Sequence, residues 1–220
     1  MSKLISFEGI DGCGKTTQIN LISSLLKEKD IKHTVIREPG GTKVSEDIRD
    51  ILLDKKNYIS KLTETLLFLS ARSQVVEEII KPKLKSNEIV LCDRYIDSTT
   101  AYQGYGHNLD ISLIENINLF SISNFLPDLT IYFDIDPSIA YDRLKKKSLD
   151  RMELMGLDYL CRVREGYLKI VDLNPNRFKS IDCNHLDIIA VNNEVLNMIE
   201  LHLNKEIWIG LLFYFIFNIY

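Results

Sequence analysis

"FEGIDGCGKTTQ", residues 7–18, sets three glycines, one lysine and two threonines between an apolar run and a helix-like run. Glycine loses more conformational freedom on folding than any other residue, so such a cluster marks backbone that must approach something closely. Gly9-Ile10-Asp11-Gly12-Cys13-Gly14-Lys15-Thr16 fits G-x-x-x-x-G-K-[ST], after the strand-like "LISFE" and at the start of a helix. In that setting backbone N–H groups wrap phosphate oxygens, Lys15 reaches the outer phosphates, and the Thr16 hydroxyl can bind Mg²⁺. The helix N-terminus adds partial positive charge. The segment reads as a loop for a nucleoside triphosphate.

Outward from the loop, short apolar runs alternate with longer amphipathic ones. Strands are expected at Leu4–Phe7, Thr34–Arg37, Ile89–Cys92, Leu129–Ile135 and Lys179–Asp182. Helices are expected at Lys15–Lys29, Val44–Leu53, Leu62–Lys81, Ser112–Ser123, Ser138–Lys146, Leu157–Asp172 and Leu186–Leu203. Asp136-Pro137 offers a cap and a fixed first-turn φ, and Pro82 should end or kink the long central helix. This alternation predicts an α/β fold of three layers: a five-stranded parallel sheet with helices on both faces. No repeat or linker divides residues 1–205, which read as one domain with a short mobile lid at about 145–156, "KKKSLDRMELMG".

The chain has 220 residues, 45% of them apolar and 26% charged, ordinary globular usage that excludes disorder. A net charge of −4 argues against a nucleic-acid binder, which would carry a basic stripe. Four cysteines form no CxxC pair, and neither they nor the four histidines show metal-ligand spacing. A reducing, cytoplasmic setting is expected, with no signal peptide. Cys13, beside a helix N-terminus, is the one candidate for a reactive thiol. The tail, 206–220, is atypical. Its last fourteen residues, "IWIGLLFYFIFNIY", would reach only about 21 Å as a helix against a hydrocarbon core of roughly 30 Å. No membrane span is expected there; a packed segment and a dispensable appendage both stay open.

A phosphate loop does not name a reaction. "REPGGT" (Arg37–Thr42) follows the second strand, on the side where ligands bind in such sheets. "VLCDRY" (Val90–Tyr95) ends a strand in Asp93, placed like the acid that helps to hold Mg²⁺, and Arg94 beside it can neutralise phosphate. With "STTAYQG" (Ser98–Gly104) and "RVREGYL" (Arg162–Leu168), these segments resemble thymidylate kinases of the bacterial type, from about Lys3 to about Asp182. The resemblance implies a P-loop NTPase fold and ATP-dependent phosphorylation of dTMP to dTDP, with Mg²⁺, by direct in-line transfer in a homodimer.

It also implies roles. ATP would lie on Gly9, Ile10, Asp11, Gly12, Cys13, Gly14, Lys15, Thr16 and Thr17, with Arg143 from the lid edge. Mg²⁺ would lie on Thr16 and Asp93. The acceptor would lie on Asp11, Glu38, Pro39, Arg49, Phe68, Arg72, Arg94, Thr99, Tyr102 and Gln103. Phe68 would stack on thymine, although helical periodicity alone reads it as core. Arg72, one turn on, would donate to the thymine O4. Tyr102 would crowd the sugar 2′ position. Lys15, Asp11, Asp93, Arg94 and Arg151 are expected in the chemistry.

The lid departs from the family pattern. Lys145, Lys146 and Lys147 stand where arginines are usual, and a lysine lacks the planar fork. Arg151 is the expected transition-state cation, with Lys147 next; the lysines also read as a solvated run. Another nucleoside-monophosphate kinase, or a binding switch without turnover, remains an alternative.

Overall fold

The inner strands are buried on both faces, as a parallel sheet covered twice by helices requires. A computed structural model describes residues 2–146 and 149–203. Strands β1 (Lys3–Glu8), β2 (His33–Arg37), β3 (Ile89–Asp93), β4 (Leu129–Asp134) and β5 (Phe178–Asp182) form one sheet in the order β2-β3-β1-β4-β5. Every pair is parallel. Around it run α1 (Lys15–Glu28), α2 (Lys43–Leu53), α3 (Lys61–Val75), α4 (Lys81–Lys85), α5 (Ile96–Thr99), α6 (Ile111–Ser121), α7 (Pro137–Leu144), α8 (Leu157–Leu173) and α9 (Ile188–Leu203).

Alternation along β1 divides the two faces. Ile5 and Phe7 share a core with Leu91, Ile131, Ile19 and Ile22 of α1, and Val191 and Val195 of α9. Leu4 turns the other way, packing with Val90, Cys92 and Val75 of α3. On that same face Tyr132 of β4 stacks on Tyr167 of α8, ring centroids 5.1 Å apart. Burying each large apolar side chain is worth about 1.5–3 kcal/mol, so the sheet core fixes the architecture.

β1 lies at the centre. The chain builds β2 and β3 on one side of it, then crosses to build β4 and β5 on the other. Loops at the carboxyl ends of β1 and β3 therefore border a crevice at the switch point.

Most element ends fall within two residues of expectation, but Pro82 does not stop its helix. A π turn, Val76–Ile80, joins α3 to α4, and Pro82 falls in the first turn of α4. "STTAYQG" lies in α5 and a second π turn, Thr100–Gly106, against α8. Among the described residues no helix is long and apolar enough to cross a membrane. The tail 206–220 lies outside the described residues, as does Lys147.

Candidate active site

The N-termini of α2 and α3 are capped by the Thr42 and Ser60 hydroxyls, which accept from the N–H groups of Ser45 and Thr63. α1 starts at Gly14, φ 101°, with no side-chain cap, so its first N–H groups need another acceptor. A Cβ on Gly14 would meet nothing within 4 Å, whereas one on Gly12 would lie 2.7 Å from the Ala140 carbonyl. The expectation that the glycines all clear space for phosphate is thus corrected. Gly14 opens outward; Gly12 is required by packing against α7.

Lys15 is only 5% exposed. Its ammonium donates to the carbonyls of Gly9 and Ile10, at 3.0 and 3.1 Å, and to Cys13 Sγ at 3.4 Å. Ile10 and Cys13 are buried in the core, which leaves the Cys13 thiol little access to reagents.

The register of β1 on β3 sets Phe7 beside Asp93 and brings the strand-end carboxylate to the helix start. Thr16 Oγ1 donates to Asp93 Oδ2 at 2.6 Å. A hydroxyl and a carboxylate are hard oxygen donors, the set for a small cation that keeps waters and takes phosphate oxygens. Among the described residues no cluster of three or more His, Cys, Asp and Glu forms an all-protein cage. Thr16 and Asp93 therefore fit Mg²⁺ only in company with a phosphate.

One cleft of about 410 Å³ runs from this loop to α3 and the Thr100–Gly106 turn. Asp11, Gly12, Gly14, Lys15, Thr16 and Thr17 line one end. All ten residues expected to hold the acceptor line the cleft, as do Asp93 and Arg37. Gly9, Ile10, Cys13, Arg143 and Arg151 do not.

Arg94 sits at φ 74°, a left-handed conformation that non-glycine residues rarely adopt. That backbone swings its guanidinium over the glycine loop. Nη2 donates to Asp11 Oδ1 at 2.6 Å and to the Tyr102 hydroxyl at 3.0 Å, while Nη1 donates to the Gly9 carbonyl at 3.0 Å. The Tyr102 hydroxyl in turn donates to Asp11 Oδ2 at 2.8 Å. Burial would raise the Asp11 pKa, but the cations of Arg94 and Lys15 and the Tyr102 hydroxyl hold it down at about 2.

Arg49 donates to the Pro39 carbonyl at 2.9 Å. Its pKa is lowered, first by burial and then by repulsion from Arg37, with Arg94 adding to it. Arg37, Arg49 and Arg94 all line the cleft; Arg94 is paired with Asp11 and Arg37 with Glu46, at 3.1 Å.

At the far end Phe68 is half-buried, packed on the core by one side and lining the cleft with the other. The core position that periodicity predicts is met in part, and the ring also borders the cleft. Arg72 is 2% exposed, held by Glu38 Oε2 at 2.6 Å, Thr99 Oγ1 at 2.9 Å, Asn118 Oδ1 at 3.1 Å and the Tyr95 carbonyl at 3.0 Å. Four of its five N–H groups are used, leaving one for a ligand. Glu38 Oε1 is buried with no partner among the described residues. Burial pushes the Glu38 carboxyl up to about 7 against the pull of Arg72.

The structure does not bring Arg151 to the loop. Its Nε donates to the Leu52 carbonyl at 2.6 Å and Nη2 to Glu64 Oε2 at 2.7 Å, so the expected transition-state cation is a tether to α2 and α3. Arg143 Nη1 instead donates to the Gly12 carbonyl at 3.0 Å. Six cleft residues were not among the expected site residues: Arg37, Leu53 and Ser98, and Asp150, Met152 and Glu153 in the segment after α7. Arg37 and Ser98 lie within segments that were singled out; for the last three, only proximity to a lysine run was a hint. Glu64, on which Arg151 closes, looked like any polar position of an amphipathic helix.

Comparisons with known proteins agree with this geometry. The family model described as Thymidylate kinase matches residues 7–195. The chain is similar to the thymidylate kinase of Thermoanaerobacter sp. (strain X514), 46% identical over 201 residues, covering 91% of this chain and 98% of that protein. It is 47% identical over 206 residues to the thymidylate kinase of Thermosipho africanus (strain TCF52B), covering 91% of this chain and 99% of that protein. The crystal structure of thymidylate kinase from Ehrlichia chaffeensis superposes with a TM-score of 0.74 at 39% identity, covering 90% of this chain and 98% of that one.

Proposed function

The chain belongs to the thymidylate kinase family, enzymes that phosphorylate dTMP to dTDP with ATP, and on that premise we propose how its residues share the work. The observation that carries the proposal is the single cleft joining the glycine loop to the Phe68 end. ATP phosphates lie on the N–H groups of Gly12, Gly14 and the start of α1, with Lys15 exchanging its carbonyl partners for phosphate oxygens. The dTMP phosphate lies among Arg37, Arg49 and Arg94, and its base lies against Phe68. Thr16 and Asp93 would hold Mg²⁺, which would supply positive charge to offset that of the phosphates. Phosphoryl transfer needs positioning and positive charge more than covalent help, and this arrangement supports an in-line displacement. Release of ADP from ATP, dTMP and Mg²⁺ in a coupled assay tests it. No dTDP under those conditions, with dUMP and dCMP also tried as acceptors, would sink the assignment.

The same enzyme acts as a homodimer. Leu62 and Leu66 of α3 are 55% and 50% exposed, and Leu113 and Phe120 of the adjoining α6 are 54% and 88% exposed. Spacings of four and seven residues put each pair on one helix face, and a second copy would cover the stripe.

A further inference from the structure

Glu64 of α3 is 1% exposed, yet it is a charged group that the chemistry above does not use. Three donors from two parts of the chain converge on its carboxylate. Oε1 accepts from Gln103 Nε2 at 2.9 Å and from His107 Nε2 at 2.8 Å, both carried by the Thr100–Gly106 turn and the residue after it. Oε2 accepts from Arg151 Nη2 of the lid at 2.7 Å. Burial would raise the Glu64 pKa, but hydrogen bonds from His107, Gln103 and Arg151 outweigh it and lower the value. The group is a carboxylate at neutral pH. It therefore accepts hydrogen bonds and donates none.

That property fixes a neighbour. A glutamine amide has a donor end and an acceptor end, and a carboxylate can take only the donor. With its nitrogen held by Glu64, Gln103 has its carbonyl oxygen turned away from α3. That oxygen has no hydrogen-bond partner among the described residues, and Gln103 lines the cleft. We propose that Glu64 is a positioning residue for base selectivity: it clamps the Gln103 amide so that only an acceptor faces the base. Such a pocket takes a pyrimidine with an imide N–H and opposes cytosine, whose N3 is itself an acceptor. An unclamped glutamine would turn over and serve either base. The Arg151 tether to the other carboxylate oxygen ties the clamp to the lid.

This inference rests on the reading of the cleft as the dTMP site. Its test is kcat/KM for dTMP and dCMP in the full chain, for the unmodified protein, Glu64→Gln, Gln103→Ala and the double variant. A glutamine at 64 is close in shape but offers both a donor and an acceptor, so Gln103 is no longer forced one way. The dTMP-to-dCMP preference of Glu64→Gln should fall at least tenfold, through KM more than kcat. Adding Glu64→Gln to Gln103→Ala should change the preference less than twofold, because the clamp then has nothing to hold.

A preference unchanged in Glu64→Gln but altered in Gln103→Ala overturns the clamp and leaves the base site standing. Equal losses with both acceptors in Glu64→Gln make the residue merely structural, which also overturns it. No change of preference in Gln103→Ala instead removes the base reading beneath it. Should Glu64→Gln fail to fold, hydrogen exchange of the ¹⁵N-labelled Gln103 side-chain amide in the unmodified protein decides. A clamped amide exchanges at least tenfold more slowly than a free glutamine side chain, and exchange at the free rate overturns the proposal.

Discussion

Arg94 and Asp11 meet at 2.6 Å, joining the end of β3 to the glycine loop through a charge-assisted hydrogen bond. The pair is fixed by its surroundings: Arg94 is bent into a left-handed backbone, and its guanidinium lies 4.8 Å from the Tyr102 ring centroid. With a folded pKa of about 2 against an ordinary 3.8, Asp11 stabilises the fold above pH about 4 and ceases to as pH falls through 2. Asp11→Asn should therefore be less stable than the unmodified protein at neutral pH. Denaturant unfolding at a series of pH values should show that gap closing toward pH about 2. A gap independent of pH would mean the carboxylate is not paired as described.

Lys15→Ala should lower kcat by two orders of magnitude or more while the fold persists. The side chain would contribute charge at the transferring phosphate, and truncating it removes only hydrogen bonds to two loop carbonyls and the Cys13 thiol. Turnover by ADP release, with circular dichroism melting as the control, checks this. A near-normal rate would take the loop out of the chemistry.

Glu38 titrates in the opposite sense to Asp11. Between its ordinary 4.5 and about 7 the folded protein keeps a proton that the unfolded chain has released, so stability falls as pH rises through that window. The drop is roughly 3 kcal/mol, from about 1.4 kcal/mol per pH unit. In Glu38→Gln the slope should flatten, since the amide cannot titrate. Equal slopes in the two proteins would show that Arg72 keeps the carboxylate charged throughout.

For Phe68→Ala the expected change is a rise in the KM for dTMP of roughly tenfold, the scale of losing a base stack worth about 1–3 kcal/mol. The side chain is only half-buried, so the fold should lose less than the roughly 3–5 kcal/mol of a fully buried phenylalanine. A variant that unfolds, or one with an unchanged KM, would return the residue to the core.

Leu66→Glu sets a charge in the exposed stripe of α3 without touching the cleft. Sedimentation should find the unmodified protein at twice the chain mass and the variant at the chain mass. An unmodified protein that sediments as a single chain refutes the dimer.

The loop, the five strands and the Asp93-Arg94 strand end could be read from local order: glycine spacing, apolar runs and where a strand stops. Phe68, Arg72 and the other residues at the acceptor end were expected only from the resemblance to a known family. What stayed hidden depends on residues far apart in the chain. Glu64 gains its meaning only when Gln103, His107 and Arg151 fold onto it. For Arg72 the resemblance implied a base donor, but nothing local indicated that Glu38, Asn118 and the Tyr95 carbonyl enclose it. Gly12 looked like phosphate clearance, yet the Ala140 carbonyl is what forbids a side chain there. Pro82 was expected to end or kink a helix; the helical run continues past it, with a π turn just before it.

The way Lys15 is held bears on which anions the loop would admit. Its ammonium has two carbonyls and a thiol as partners, so an anion must compete for it rather than meet a bare charge. A chain of linked phosphates that touches the helix start and the lysine together would compete better than a lone small anion, and the loop should therefore discriminate by length as well as by charge.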